Sequence, residues 1–76
     1  MKIWVVEWID HMYKEANQML GIFSTTENAE KFVNEAIIHF NQHMNHTETH
    51  EEDTWYDVEE GYYVATAHIV DNMLKW

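Results

Sequence analysis

Cysteine, proline and arginine are missing from this chain, and glycine occurs only twice. The absence of cysteine excludes disulfides and thiolate metal sites, the usual covalent or metal supports of a very small fold. In 76 residues only about 60% of the unfolded chain's surface can be buried. Stability must then come from packing, alone or with a second copy, and there is no room for an enclosed active-site cleft. The absence of arginine leaves four lysines against fourteen acids, a formal charge of −10. Such a chain repels nucleic acid and anionic membranes and is drawn to basic surfaces, faster at low salt. No run approaches the ~20 apolar residues that span a bilayer. The N-terminal MKIWVVEWID is broken by Glu7 and Asp10 with no small-residue cleavage site after it, so it does not read as a signal peptide. The chain reads as one cytoplasmic domain over residues 1–76, without cofactor.

Against these absences stand four Trp, four Tyr and three Phe. So many aromatics in so short a chain exclude intrinsic disorder despite the charge. KIWVVEWI, Lys2 to Ile9, is β-branched and aromatic and reads as a strand. Its two faces, Ile3, Val5, Glu7, Ile9 and Trp4, Val6, Trp8, are both largely apolar, whereas a strand with one wet face alternates more cleanly. The second face is therefore expected to be covered too. A polar connection over Asp10 to Asn17 leads to a second strand, Gln18 to Ser24, in which Gly21 marks a bulge or a close approach of backbone.

Ser24 and Glu27 form an S-x-x-E capping box, so a helix should begin there. Ala29, Phe32, Val33, Ala36, Ile37, Phe40 and Met44 recur at three- and four-residue intervals as one apolar stripe. Ile38 falls on the polar face at about 100° per residue. A lone exposed Ile usually signifies nothing; the alternative is contact with another chain.

After a polar stretch from Asn45 to Asp53, Thr54 to Glu60 and Tyr62 to Val70 read as two strands around Gly61, with glycine at positive φ in a tight hairpin. Tyr63, Ala65, Ala67 and Ile69 share one face, and the two alanines would let a helix sit close. Tyr62, Val64, Thr66 and His68 share the other. The tail 71–76 fits either a strand extension or a helical turn. The order β-β-α-β-β gives an α+β fold, an antiparallel sheet of about four strands with one helix packed on one face. One helix leaves the other face displaying Trp or Tyr, more apolar surface than monomers usually tolerate. Homodimerisation is the simplest remedy, with Trp4, Trp8, Ile38 and Tyr62 as the candidate interface residues.

His39, His43, His46 and His50 would fall within about 60° of one another if the helix ran on to residue 50. An i, i+4 histidine pair is the spacing by which helices hold zinc, with Glu48 or Glu51 as an added carboxylate. However, NHTETHEED contains poor helix formers, and no H-E-x-x-H places a general base beside the ligands. The preferred reading assigns no metal. His39 and His43 lie at the helix flank, and His46 and His50 belong to a loop.

Glu48, Glu51, Glu52, Asp53, Asp57, Glu59 and Glu60 put seven acids in thirteen residues without a basic one. Such runs usually serve solubility. In the functional alternative they engage a basic surface, with Trp55 as apolar anchor and with Asp57 and Glu59 about 7 Å apart on one side of a strand. These eight residues are the candidate partner-binding set. KIWVVEW, GIFSTTENAEKF and the terminal aromatic hairpin together resemble small, acidic, uncharacterised proteins encoded by bacteriophages and prophages, over most of the chain. The resemblance implies a protein that binds and inhibits a host protein, including nucleic-acid-binding ones, by imitating nucleic acid. No Gly-rich phosphate loop, activated nucleophile or placed carboxylate pair suggests an enzyme. The leading expectation is thus a non-catalytic inhibitor of a basic host protein. The alternative is an assembly module working through an aromatic sheet face, with the acids keeping it soluble.

Overall fold

The computed structural model describes residues 1–12 and 17–70. Five strands and one helix follow in the order β1 (Lys2–Asp10), β2 (Asn17–Phe23), α1 (Thr26–His39), β3 (Met44–Thr49), β4 (Asp53–Val58) and β5 (Gly61–Ile69). They form one wholly antiparallel sheet in the spatial order β2-β1-β5-β4-β3. The β1–β2 pair and the β3-β4-β5 meander meet where β5 lies along the whole of β1. There the Val70 amide donates to the Met1 carbonyl at 2.7 Å. The fold is α+β as the sequence indicates, but with five strands rather than four. The added strand is β3, in the stretch read as a polar crossing. The tail 71–76 and part of the β1–β2 connection lie outside the described residues.

In register, Trp4, Val6 and Trp8 stand across from Ala67, Ala65 and Tyr63, which places all six on the helix side of the sheet. Ala29, Val33 and Ile37 of α1 meet them, and Val6, Val33 and Val58 are fully buried. The two alanines of β5 make the room anticipated for the helix. Trp8 packs on Tyr63 with ring centroids 4.8 Å apart, and Phe23 on Phe32 at 5.2 Å. The Tyr63 hydroxyl donates to Gln42 Oε1 at 2.6 Å, tying the sheet to the segment just beyond the helix. At Gly21 the expected irregularity is present: β1 and β2 shift register between Val6 and Glu7, opposite Gly21 and Met19.

Both helix ends differ from the sequence reading. Thr25, not Ser24, is the N-cap: its backbone is extended, and its hydroxyl accepts from the Asn28 amide at 3.1 Å. Two adjacent hydroxyl residues left the cap ambiguous by one position. At the other end the helix stops at His39, although the apolar stripe runs on to Met44. Asn41 takes φ 53, in the left-handed region. The Asn41 amide then donates to Ile38 O at 3.1 Å and the Gln42 amide to Ile37 O at 2.9 Å, a Schellman motif with asparagine in glycine's place. Phe40 is consequently 63% exposed, and Met44 reaches the core from β3, across from Val58. Gly61 also departs from expectation. Among the described residues no glycine has positive φ, and the β4–β5 turn is Glu59–Glu60, with Gly61 paired to Val58 as the first residue of β5. Its lack of a side chain serves close packing, since a Cβ there would strike the Ile9 carbonyl oxygen and the Trp8 ring.

Candidate binding face of the sheet

Period-two alternation assigns the remaining side chains to the face opposite the helix. Cross-strand pairing arranges them in rows: Ile22, Val5, Thr66 and Asp53; Met19, Glu7, Val64, Trp55 and Glu48; Asn17, Ile9, Tyr62, Asp57 and His46. The face is divided. Its β2–β1 half is mainly aliphatic, with Met19 60% and Ile22 55% exposed, and carries Glu7 and Asn17 as its polar members. Its β4–β3 half carries the carboxylates Glu48, Asp53 and Asp57. Trp55 and Tyr62 stand between the halves, their rings 5.4 Å apart and nearly perpendicular. Neither described lysine is on this side. Lys31 is on α1, and the Lys2 ammonium sits 5.5 Å over the Trp4 ring on the helix side.

The candidate residues are thus sorted rather than gathered. Glu48, Asp53, Trp55, Asp57 and Tyr62 share the open face. Glu51 and Glu52 cap one end of β4 in the turn that His50 closes by donating its amide to Asp53 O at 2.7 Å. Glu59 and Glu60 form the turn at its other end, so Glu59 is not strand-borne beside Asp57. Trp4 and Trp8 face the helix and pack against the core, which removes them from the uncovered face. Ile38 projects from the outer side of α1 at 78% exposure, as its place on the polar face of the helix implied.

The histidine ladder does not form, because the helix ends at His39. What replaces it is a strand arrangement that sets Glu48 between His46 and His50, which a helix would have turned away from them. His46, Glu48 and His50 alternate along β3 and its end, so all three point to the open face. His50 Nε2 lies 2.9 Å from Glu48 Oε1 and His46 Nε2 3.7 Å from Glu48 Oε2. One carboxylate is thereby bracketed by two imidazoles. Beside it, His11 packs edge-on against Tyr62 at 4.9 Å, with Nε2 4.0 Å from Asp57 Oδ1. The sequence signal for the bracket is the i, i+2, i+4 spacing of H-T-E-T-H, which is a strand period and not a helical one. Among the described residues no group of three or more His, Asp or Glu side chains is arranged to hold a metal ion, and no helix is long and apolar enough to cross a membrane. Comparison with family models, curated proteins and solved structures finds no match for this chain.

Proposed function

We propose that the protein is a non-catalytic interaction protein whose open sheet face, through Glu48, Asp53 and Asp57 around Trp55, binds a basic host protein and blocks its nucleic-acid-binding surface. The observation that carries this reading is the segregation of charge: four carboxylates, Glu7 with Glu48, Asp53 and Asp57, lie on one rigid face and both described lysines on the other side. A sheet holds its carboxylates at fixed separations, about 7 Å between every second residue. That spacing is sparser than the phosphates of a DNA strand, one per ~3.4 Å, so the imitation is of charge and placement rather than of every phosphate. The overall charge of −10 would speed encounter with such a partner. An inhibitor of the kind some phages encode, working in the cytoplasm of the host, fits this behaviour.

The exposed Met19 and Ile22 favour a second reading, in which the aliphatic half of the same face seats another copy or an assembly partner. One experiment separates the two. Glu48, Asp53 and Asp57 are reversed to Lys in one variant, and Glu30, Glu35 and Glu59, outside the face, in a second with the same net charge. Capture of nucleic-acid-binding proteins from a bacterial lysate is then compared with wild type. The proposal expects capture lost only in the first variant. Equal capture by all three sinks it, and under the assembly reading Ile22→Asp is the change that abolishes capture.

A further inference from the structure

The open face is not flat at its acidic end. His46, Glu48, His50, Trp55, Asp57 and Tyr62 line a depression of about 410 Å³. We propose that this depression receives the guanidinium group of an arginine side chain from a basic polypeptide, stacked on the Trp55 ring beside Tyr62 and paired with Asp57. The inference rests on the reading of this face as a partner-binding surface and specifies what the face grips.

The two carboxylates of the depression have different roles. Glu48 has one oxygen within hydrogen-bond range of His50, at 2.9 Å, and the other 3.7 Å from His46, so part of its acceptor capacity is already used within the wall. The His11 imidazole stands 4.0 Å from Asp57, beyond hydrogen-bond range. With its side chain a third exposed (33%), Asp57 retains acceptor capacity toward the depression. Asp57 is directly across from Tyr62 and two residues along from Trp55 on the same side of the sheet. A flat cation lying on the Trp55 ring would therefore have its edge within reach of this carboxylate. Guanidinium meets both requirements, because it is planar, weakly hydrated, stacks on aromatic rings and pairs with carboxylate through two parallel N–H donors. A lysine ammonium, a compact and strongly hydrated point charge, gains less from a ring face. The chain supplies no arginine of its own, so the group must come from a partner.

The test titrates hexaarginine and hexalysine peptides, equal in charge, into the full chain at low ionic strength by calorimetry. Asp57→Asn, Trp55→Leu and a control in the β3–β4 turn, Glu51→Gln, are titrated in parallel, with folding checked by circular dichroism. The expected result is hexaarginine binding about tenfold more tightly than hexalysine, the size of one aromatic and bidentate contact. That preference should collapse in Asp57→Asn and Trp55→Leu and persist in Glu51→Gln. Should Trp55→Leu fail to fold, the near-isosteric Asp57→Asn carries the comparison. Equal binding of the two peptides, or a preference that survives both depression variants, overturns the guanidinium site while leaving the acidic face as a binding surface. If neither peptide binds, the partner-binding reading fails and the site falls with it.

Discussion

Thr25 holds the start of the helix through one hydroxyl, and it does so beside a serine of nearly equal capping ability. Its Oγ1 accepts the Asn28 amide, and its carbonyl accepts from Ala29 at 3.2 Å. Replacing an N-cap hydroxyl by Ala costs about 1 kcal/mol. Thr25→Ala should therefore lower the urea unfolding free energy by about that amount, and Ser24→Ala should leave it nearly unchanged. The reverse order would restore Ser24 as the cap. At this scale the sequence was legible to within one residue, since S-T-T offers three hydroxyls in a row and only tertiary placement selects one. Gly61 shows a different limit. A glycine next to a turn suggests positive φ, but here it answers to the Ile9 carbonyl and Trp8 ring across the sheet, neighbours that no local pattern reveals.

The elements divide by how much apolar surface they bury. β1, β5 and the body of α1 announce themselves because their inward positions are Val, Ile, Ala and aromatic residues. β3 does not, because α1 lies chiefly over β1 and β2. β3 therefore projects at the sheet's edge with only Met44 partly buried. Its remaining inward positions can be Thr47 and Thr49, and polarity on both faces leaves no period to detect. The helix end was misjudged because the apolar repeat continues through Phe40 to Met44, whereas the backbone reverses at Asn41. The helix–sheet packing is itself titratable. Burial raises the pKa of Tyr56 above 10.0, with the charge of Glu30 adding to the shift, and burial likewise raises that of Tyr63, with Glu60 adding. A group whose folded pKa lies above its unfolded value contributes stability that is fully present below the unfolded pKa and is lost as pH rises through the folded one. The urea midpoint is therefore expected to fall as pH rises above 10.0, and to fall less in Tyr56→Phe. An equal fall in that variant would show that Tyr56 ionisation plays no part.

For the whole molecule, composition carried the strongest functional signal, because a charge of −10 without arginine restricts partners whatever the fold. It could not show where the charge sits. Of the seven acids between Glu48 and Glu60, the pairing register places Glu48, Asp53 and Asp57 on the open face and sends the other four to the two turns. The same register turns Trp4 and Trp8 inward and leaves the half-buried Trp55 and Tyr62 on the open face, between a mainly aliphatic and an acidic half. The chain thus has two unlike sides: a helix side that builds the core and an open side, which we propose binds a partner. That division is tested most directly by photo-crosslinking from each side in turn, with p-benzoylphenylalanine in place of Thr66 at the middle of the open face or of Asn34 on the outer surface of α1. The account predicts adducts with a basic partner, or with a second copy, from position 66 and none from position 34. Adducts from position 34 alone would contradict it.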